Sequence, residues 1–480
     1  MTMNTLPFRS ERVLMNVLPT MALSLLLLSG CMLPTSALKP VLEDEGEVDL
    51  YLQPFPQDAE RLKFSIDRIS LVSSDGRDFP LSHALTEFQA GALQRQRFLA
   101  AGRVPPGKFS GLSIKIAKAT LSGEEGNADL FVPEEPVLVP LSVEVRRKKV
   151  VVLSLAFQYA GSVQSGFRFT PRFSLYVPSL PVSGLLGYVV NRADNTLTVF
   201  DKRTGQVSAI IATGRGPEQV VFDQNSRTAY VSLAGEDAVD VINLTDGEVT
   251  HRINLKTGDG PGSIALTPDG RTLLTVNARS NRLSIIDPAT LAERSTVPVG
   301  EGPRWLLVGR NGTRCYVFNG LSNTITVIDI ANSAIVATIS TDAGPLMGQF
   351  NRKGDRLYVV HEGSPYLLVI EPDSLSVTKR VFLGYGLGVI KVDTKSDMLY
   401  VSRKGDPRIE VYEPFSLNLI DYLPAMSDIV RMTIDGEANN LFLLSDEKRR
   451  LMSVSLVSRK AVTETDIGED PAWVTMMGER

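Results

Sequence analysis

The chain has 480 residues, 43% apolar and 22% charged, with 50 Lys+Arg against 54 Asp+Glu and a formal net charge of −4. This composition excludes general disorder, and the even charge balance offers no basic face for nucleic acid. Two Cys and three His exclude disulfide scaffolds, zinc clusters and multi-haem sites.

Arg9 and Arg12 precede an apolar stretch from Val13 to Ser29 that ends in Leu28-Ser29-Gly30-Cys31. Basic, then apolar, then small residues is the order of an export signal that is removed from the mature chain. An uncleaved anchor helix is the competing reading, because the stretch is almost long enough to span a bilayer. The Leu-Ser-Gly-Cys ending resembles the lipobox of bacterial lipoproteins. That resemblance implies diacylglycerol on the Cys31 thiol, cleavage before Cys31 and acylation of the new amine. Several acyl chains hold a protein on a membrane where one does not. Met32 follows in place of the Asp that retains such proteins at the inner membrane, so the same resemblance implies an outer-membrane address in a bacterial envelope. Residues 1–30 are therefore expected as signal peptide and 31–47, with Pro, Ser and an acidic run, as a lipid-anchored tether.

Residues 48–178 carry short alternating segments such as LKFSIDRISLVS, KFSGLSIKIAKATL and VVVLSLAFQY. Alternation of this kind is the period-two mark of strands with one buried face, and Ser74-Asp75-Gly76 and Pro105-Pro106-Gly107 supply turns. A small β-sandwich is expected, with a helical turn or a long loop within HALTEFQAGALQRQRFLAAG. The order of VDLYL, ISLVSSDG, AGRVPPGKFSGLSI and FRFTPRFSL resembles transthyretin-like sandwich domains of an uncharacterised family of envelope lipoproteins. Residues 179–187 read as a connector.

The rest of the chain, 188–480, is an internal repeat. Tyr188, Tyr230, Leu274, Tyr316, Tyr358, Tyr400 and Phe442 begin equivalent segments at steps of 42, 44, 42, 42, 42 and 42 residues. A second column holds Gly216, Gly260, Gly302, Gly344 and Gly386, then Asp428 and Asp470. A third holds Asp201, Asn243, Asp287, Asp329, Glu371, Glu413 and Ser455. A period near 42 with four strand-like segments per copy is that of a β-propeller blade. The first copy starts at its second strand and the last ends in an extra first strand, so the ring is expected to close with its C-terminal strand, which hides two sheet edges. The segments YVVN, YVFN and LTVN resemble those of YVTN-type seven-bladed propellers over residues 188–476. The expected fold is all-β throughout.

For chemistry, no HExxH, GxSxG, GxxxxGK[ST] or CxxCH motif occurs, and no cofactor is expected. His83, His251 and His361 are far apart in sequence, and Cys315 lies in a strand pattern that suits a buried thiol. The acidic column repeats in nearly every copy, which suits turn capping rather than a unique site. Where the repeat varies, the third residue after the column Gly is Gln219, Ser263, Trp305, Met347, Val389, Arg431 and Trp473. Both tryptophans fall there. Arg192, Arg215, Glu218, Arg279, Arg304, His361 and Arg403 are expected on the same loop face, and with Trp305 and Trp473 they are the ligand-binding candidates. The competing reading has the indoles plugging the channel. The pattern favours a binding or scaffold module for an envelope protein, glycan or small ligand over an enzyme. The alternative is a lactonase-like hydrolase with a site at the channel mouth, as in some relatives of this propeller type.

Overall fold

The computed structural model describes residues 39–124 and 126–479. The segment expected as signal peptide, Cys31 and the start of the expected tether lie outside them. Almost every element is a strand, and the helical content of the described residues is three short 3-10 turns.

The N-terminal β domain is built on one hydrogen-bonded sheet of ten strands, eight in a continuous path with Glu87–Gln89 and Val137–Val145 branching from it, and a separate pair Val163–Gln164 and Arg168–Phe169. Strand Gly46–Leu52 pairs parallel with Val150–Gln158 and antiparallel with Arg97–Val104. The short strand Asp78–His83 bridges this group to the long pair Leu62–Ser73 and Gly107–Gly123. Alternating residues from both groups, among them Val48, Leu50, Phe64, Ile69, Leu112, Ile114 and Leu153, meet in one core. The segment expected to hold a helical turn or loop contains a 3-10 turn, Ala90–Ala92, but continues into strand Arg97–Val104. The expected tether is also shorter. The Lys39 amide donates to Ala193 O at 2.8 Å, the Asn195 side-chain amide donates to Lys39 O, and Lys39 pairs with Glu47.

Seven four-stranded blades follow. Blades 2 to 7 are meanders of consecutive strands, for example Pro217–Asp223, Thr228–Leu233, Ala238–Asn243 and Glu248–Asn254 in blade 2. Blade 1 is Leu186–Asn191, Thr196–Asp201 and Val207–Ala212, completed on its inner side by Pro471–Met476. The repeated aromatic of the second strand is buried in each blade that has one, with Tyr188, Tyr358 and Phe442 each 1% exposed. Burying such a ring contributes about 2–3 kcal/mol.

The column glycines have a mechanical reason. Gly216, Gly260, Gly302, Gly344 and Gly386 all have φ between 60° and 82°, the left-handed region that glycine enters without steric cost. Asp428 (φ 53°) and Asp470 (φ 50°) hold the same conformation, which Asp tolerates better than most residues. The turn lets the amide of Gly216, Gly302 and Gly344 donate to the side chain of Asn195, Asn281 and Asn323 of the preceding blade, at 2.8, 3.0 and 2.8 Å. Adjacent blades are thus latched to one another. The third column caps turns: Asp201 Oδ1 accepts from the Arg203 and Thr204 amides, and Asp287 Oδ1 from Ala289 and Thr290.

At the closing seam Lys202 of blade 1 is 1% exposed and donates to Asp435 Oδ1 of blade 7 at 2.8 Å and to Met477 O at 3.1 Å. The N-terminal domain rests on the same two blades. Arg95 and Arg97 each reach an oxygen of Asp466 at 2.7 Å, and Gln96 Oε1 accepts from the Val207 amide at 2.8 Å. Tyr51 and Val152 pack with Val207 and Ile210. Burial pushes the Asp466 carboxyl up, but the Arg97 hydrogen bond and the Arg95 and Arg97 charges outweigh it and hold the group below the usual carboxylate range.

Candidate functional site

The loop before each first strand and the loop after each second strand share one face. Ala234 N donates to Gly216 O, Gly320 to Gly302, Glu362 to Gly344, Lys404 to Gly386 and Arg192 to Asp470. Antiparallel strands then send the turn between third and fourth strands out of the opposite face.

On the loop face the candidates separate into groups. Arg192 binds Glu218 through Nε and Nη2, both at 2.9 Å, and Asp470 through Nη1 at 2.8 Å, tying blades 1 and 2. Arg215 and Arg279 lie along the backbone of their own blades, against Gly235 and Gly260. Arg304 of blade 4 binds Glu362 of blade 5 at 2.9 Å, and Lys404 of blade 6 approaches the other Glu362 oxygen at 3.6 Å. The hydrogen bond from Arg304, more than burial opposes it, holds the Glu362 carboxyl below its usual range.

His361 and Arg403 are not free loop-face groups. In blades 1, 3 and 4 the residue at their position is Asn, whose amide donates to a third-strand hydroxyl: Asn191 to Thr198 at 2.8 Å, Asn277 to Ser284 at 2.7 Å, Asn319 to Thr326 at 2.9 Å. The repeat thereby satisfies a buried polar pair between its second and third strands. Blade 6 replaces that pair with Arg403 and Glu410, joined at 2.7 Å, and the remaining Arg403 N–H groups donate to Leu383 O and Tyr385 O. Blade 5 replaces it with His361 facing Leu368. The imidazole is fully buried, Nδ1 lies 3.3 Å from Tyr366 O, and burial lowers its pKa, so it is neutral at pH 7. A hydrolase site at the mouth that used His361 would need this ring exposed. Among the described residues no three His, Cys, Asp or Glu side chains are grouped to hold a metal ion. Cys315 is fully buried, and burial pushes its thiol up to about 12.

Trp305 and Trp473 are not on the loop surface either. They reach into the channel from blades 4 and 1, with ring centroids 5.5 Å apart. Arg431 of blade 7 lies against both, its guanidinium carbon 4.5 Å from one ring centroid and 4.6 Å from the other. The variable column is therefore the wall of the channel, and Arg431, which the candidate set omits, is the charged member of its plug.

The comparisons fit this geometry. A family model described as YNCE-like beta-propeller matches residues 182–350. A protein of unknown function from Desulfotomaculum acetoxidans has a similar structure, with TM-score 0.54 and 15% identity over 61% of this chain and 98% of that one. Hydrazine synthase from Kuenenia stuttgartiensis gives TM-score 0.48 and 19% identity over 53% of this chain and 88% of that one. The dihydro-heme d1 dehydrogenase NirN, in complex with DHE, gives TM-score 0.49 and 14% identity over 63% and 77%. No curated protein sequence matches the chain. At these identities the likeness extends to the propeller fold alone.

Proposed function

We propose that the protein is an envelope-anchored binding module whose propeller loop face, over blades 4 to 6, docks a protein held in the same membrane. One observation carries this reading. Leu321 and Tyr385 are 71% and 73% exposed at the two ends of a charged bridge formed by Arg304, Glu362 and Lys404. An exposed tyrosine beside an arginine supplies the residue types that anchor protein interfaces. The membrane half of the reading comes from chain length. Lys39 is clipped to blade 1 at the Ala193–Asn195 loop, on this same face. A lipid on Cys31, eight residues earlier, would hold that loop within about 30 Å of the bilayer, the reach of an extended chain.

The test places a photo-crosslinking residue at position 385 or, on the opposite face, at Phe415 (75% exposed), in intact cells. A discrete protein adduct is expected from position 385 alone, and Arg304→Ala should weaken it by about 2 kcal/mol of affinity. Equal adducts from both positions, or none from 385, would overturn the reading.

A further inference from the structure

The Trp305–Arg431–Trp473 plug holds more donors than the protein satisfies. Trp305 is 4% exposed and its indole N–H has no acceptor; the Trp473 indole N–H and Arg431 Nε also have none. One guanidinium N–H reaches only the Met347 sulfur, at 4.0 Å. Buried polar groups are nearly always paired, so three orphan donors at one spot call for an explanation. Among the described residues no carboxylate is paired with Arg431. Glu218 is the acidic group whose field reaches Arg431, and both its oxygens are engaged by Arg192. Burial pulls the Arg431 guanidinium down to about 10, which still leaves it protonated at pH 7. The other channel residues at this level are occupied or apolar. Gln219 exchanges hydrogen bonds with Ile264, Ser263 accepts from the Leu306 amide, and Met347 and Val389 complete the ring.

All three donors line one cavity of about 420 Å3 that continues along the channel past Val221 and Leu307 to the Lys391–Glu479 pair. Lys391 is neutralised there, so Arg431 is the uncompensated charge of the cavity wall. We infer that this cavity binds a small organic monocarboxylate, held at its charged end by the Arg431 guanidinium and the two indole N–H groups. The charge count selects a monoanion. The shape of the donor selects a carboxylate: both indoles lie against the guanidinium, and its coplanar N–H groups, the unpaired Nε among them, match two carboxylate oxygens. The cavity wall is about half apolar, with Val221 and Leu307 among its residues, which gives a short hydrocarbon body a surface to contact. This inference stands independently of the loop-face partner.

The chain supplies its own reporter, because Trp305 and Trp473 are its two tryptophans. Intrinsic tryptophan emission of the whole protein is titrated with acetate, hexanoate and inorganic phosphate against sodium chloride at matched ionic strength. A saturable change is expected with both carboxylates, with hexanoate roughly tenfold tighter or more because its methylenes leave water. Arg431→Lys should weaken hexanoate about tenfold or more, since a point charge replaces the fork, and Arg431→Met should abolish the response. Arg431→Met should also melt at or above the wild-type temperature without ligand, as the change removes an uncompensated buried charge. No saturable response to either carboxylate, a response to phosphate or chloride alone, or an undiminished response in Arg431→Met would overturn the inference. So would Arg431→Met melting below wild type, since the charge would then be compensated within the chain.

Discussion

The N-terminal domain and the propeller are both built of strands, yet they are joined in opposite ways. In the propeller, six of seven blades are meanders in which every strand pairs with its neighbour in sequence. In the N-terminal domain the central strand Gly46–Leu52 pairs with Val150–Gln158, about a hundred residues away, and the first and last thirds of the domain share one sheet. Contacts between sequence neighbours cost little loop-closure entropy, whereas distant pairings cost more before they return anything. The propeller concentrates its single distant pairing in blade 1, where Leu186–Asn191 meets Pro471–Met476. Its stability should therefore be sensitive at one seam, while that of the N-terminal domain should be spread across its sheet.

Removing residues 471–480 attacks that seam directly. The deletion takes away Trp473, Val474, Met476 and a full strand of hydrogen bonds, and should cost more than about 5 kcal/mol of propeller stability. Denaturant unfolding followed by circular dichroism would show it, and a truncated protein with the wild-type midpoint would place closure elsewhere.

Asp435→Ala probes the same seam with one side chain. It leaves the Lys202 ammonium, 1% exposed, with Glu437 at 3.3 Å as its remaining carboxylate, and should cost up to about 3 kcal/mol. The loss of an exposed pair such as Lys448–Glu447 should leave the midpoint nearly unchanged in the same denaturant assay.

Asp466→Asn sharpens the contrast between the two regions, because Asp466 is where they are clamped together. Its folded pKa is depressed, so its contribution is fully present above the unfolded carboxylate pKa and is lost as pH falls through the lower folded value. The difference in melting temperature between wild type and Asp466→Asn should be constant near neutral pH and shrink as pH falls below about 4. Calorimetry across that range would check it. A difference that grows with acid would reverse the sign of the clamp.

Sequence order explains how much of this could be read beforehand. The blade period, the closing strand and the capping role of Asp201 and Asp287 were legible because each repeats, and repetition separates geometry from accident. Asp428 and Asp470 looked like lost glycines but keep the left-handed turn. The roles of His361 and Arg403 were half legible. Seven residues beyond Asn191, Asn277 and Asn319 stand Thr198, Ser284 and Thr326, whereas beyond His361 and Arg403 stand Leu368 and Glu410. That paired column marks a strand-to-strand contact, and read together with the first it would have moved both residues off the binding list. The plug was not legible, because Trp305, Arg431 and Trp473 meet only when blades 4, 7 and 1 face each other across a closed ring. In the N-terminal domain, strand Arg97–Val104 escaped notice because Ala100, Ala101 and Gly102 interrupt its alternation.

The position of the closing strand also sets a schedule. Pro471–Met476 leaves the ribosome after every other described strand of the propeller, and until it arrives Leu186–Asn191 has an unpaired inner edge. The opposite edge of that blade, Val207–Ala212, is the one on which Tyr51 and Val152 of the already synthesised N-terminal domain pack. The preceding domain is thus in place to shelter one side of an unfinished blade while its other side waits for the closing strand. Domain order is part of how the ring is built: with the two domains reversed in the gene, the outer edge of blade 1 would stay uncovered until after the ring had closed.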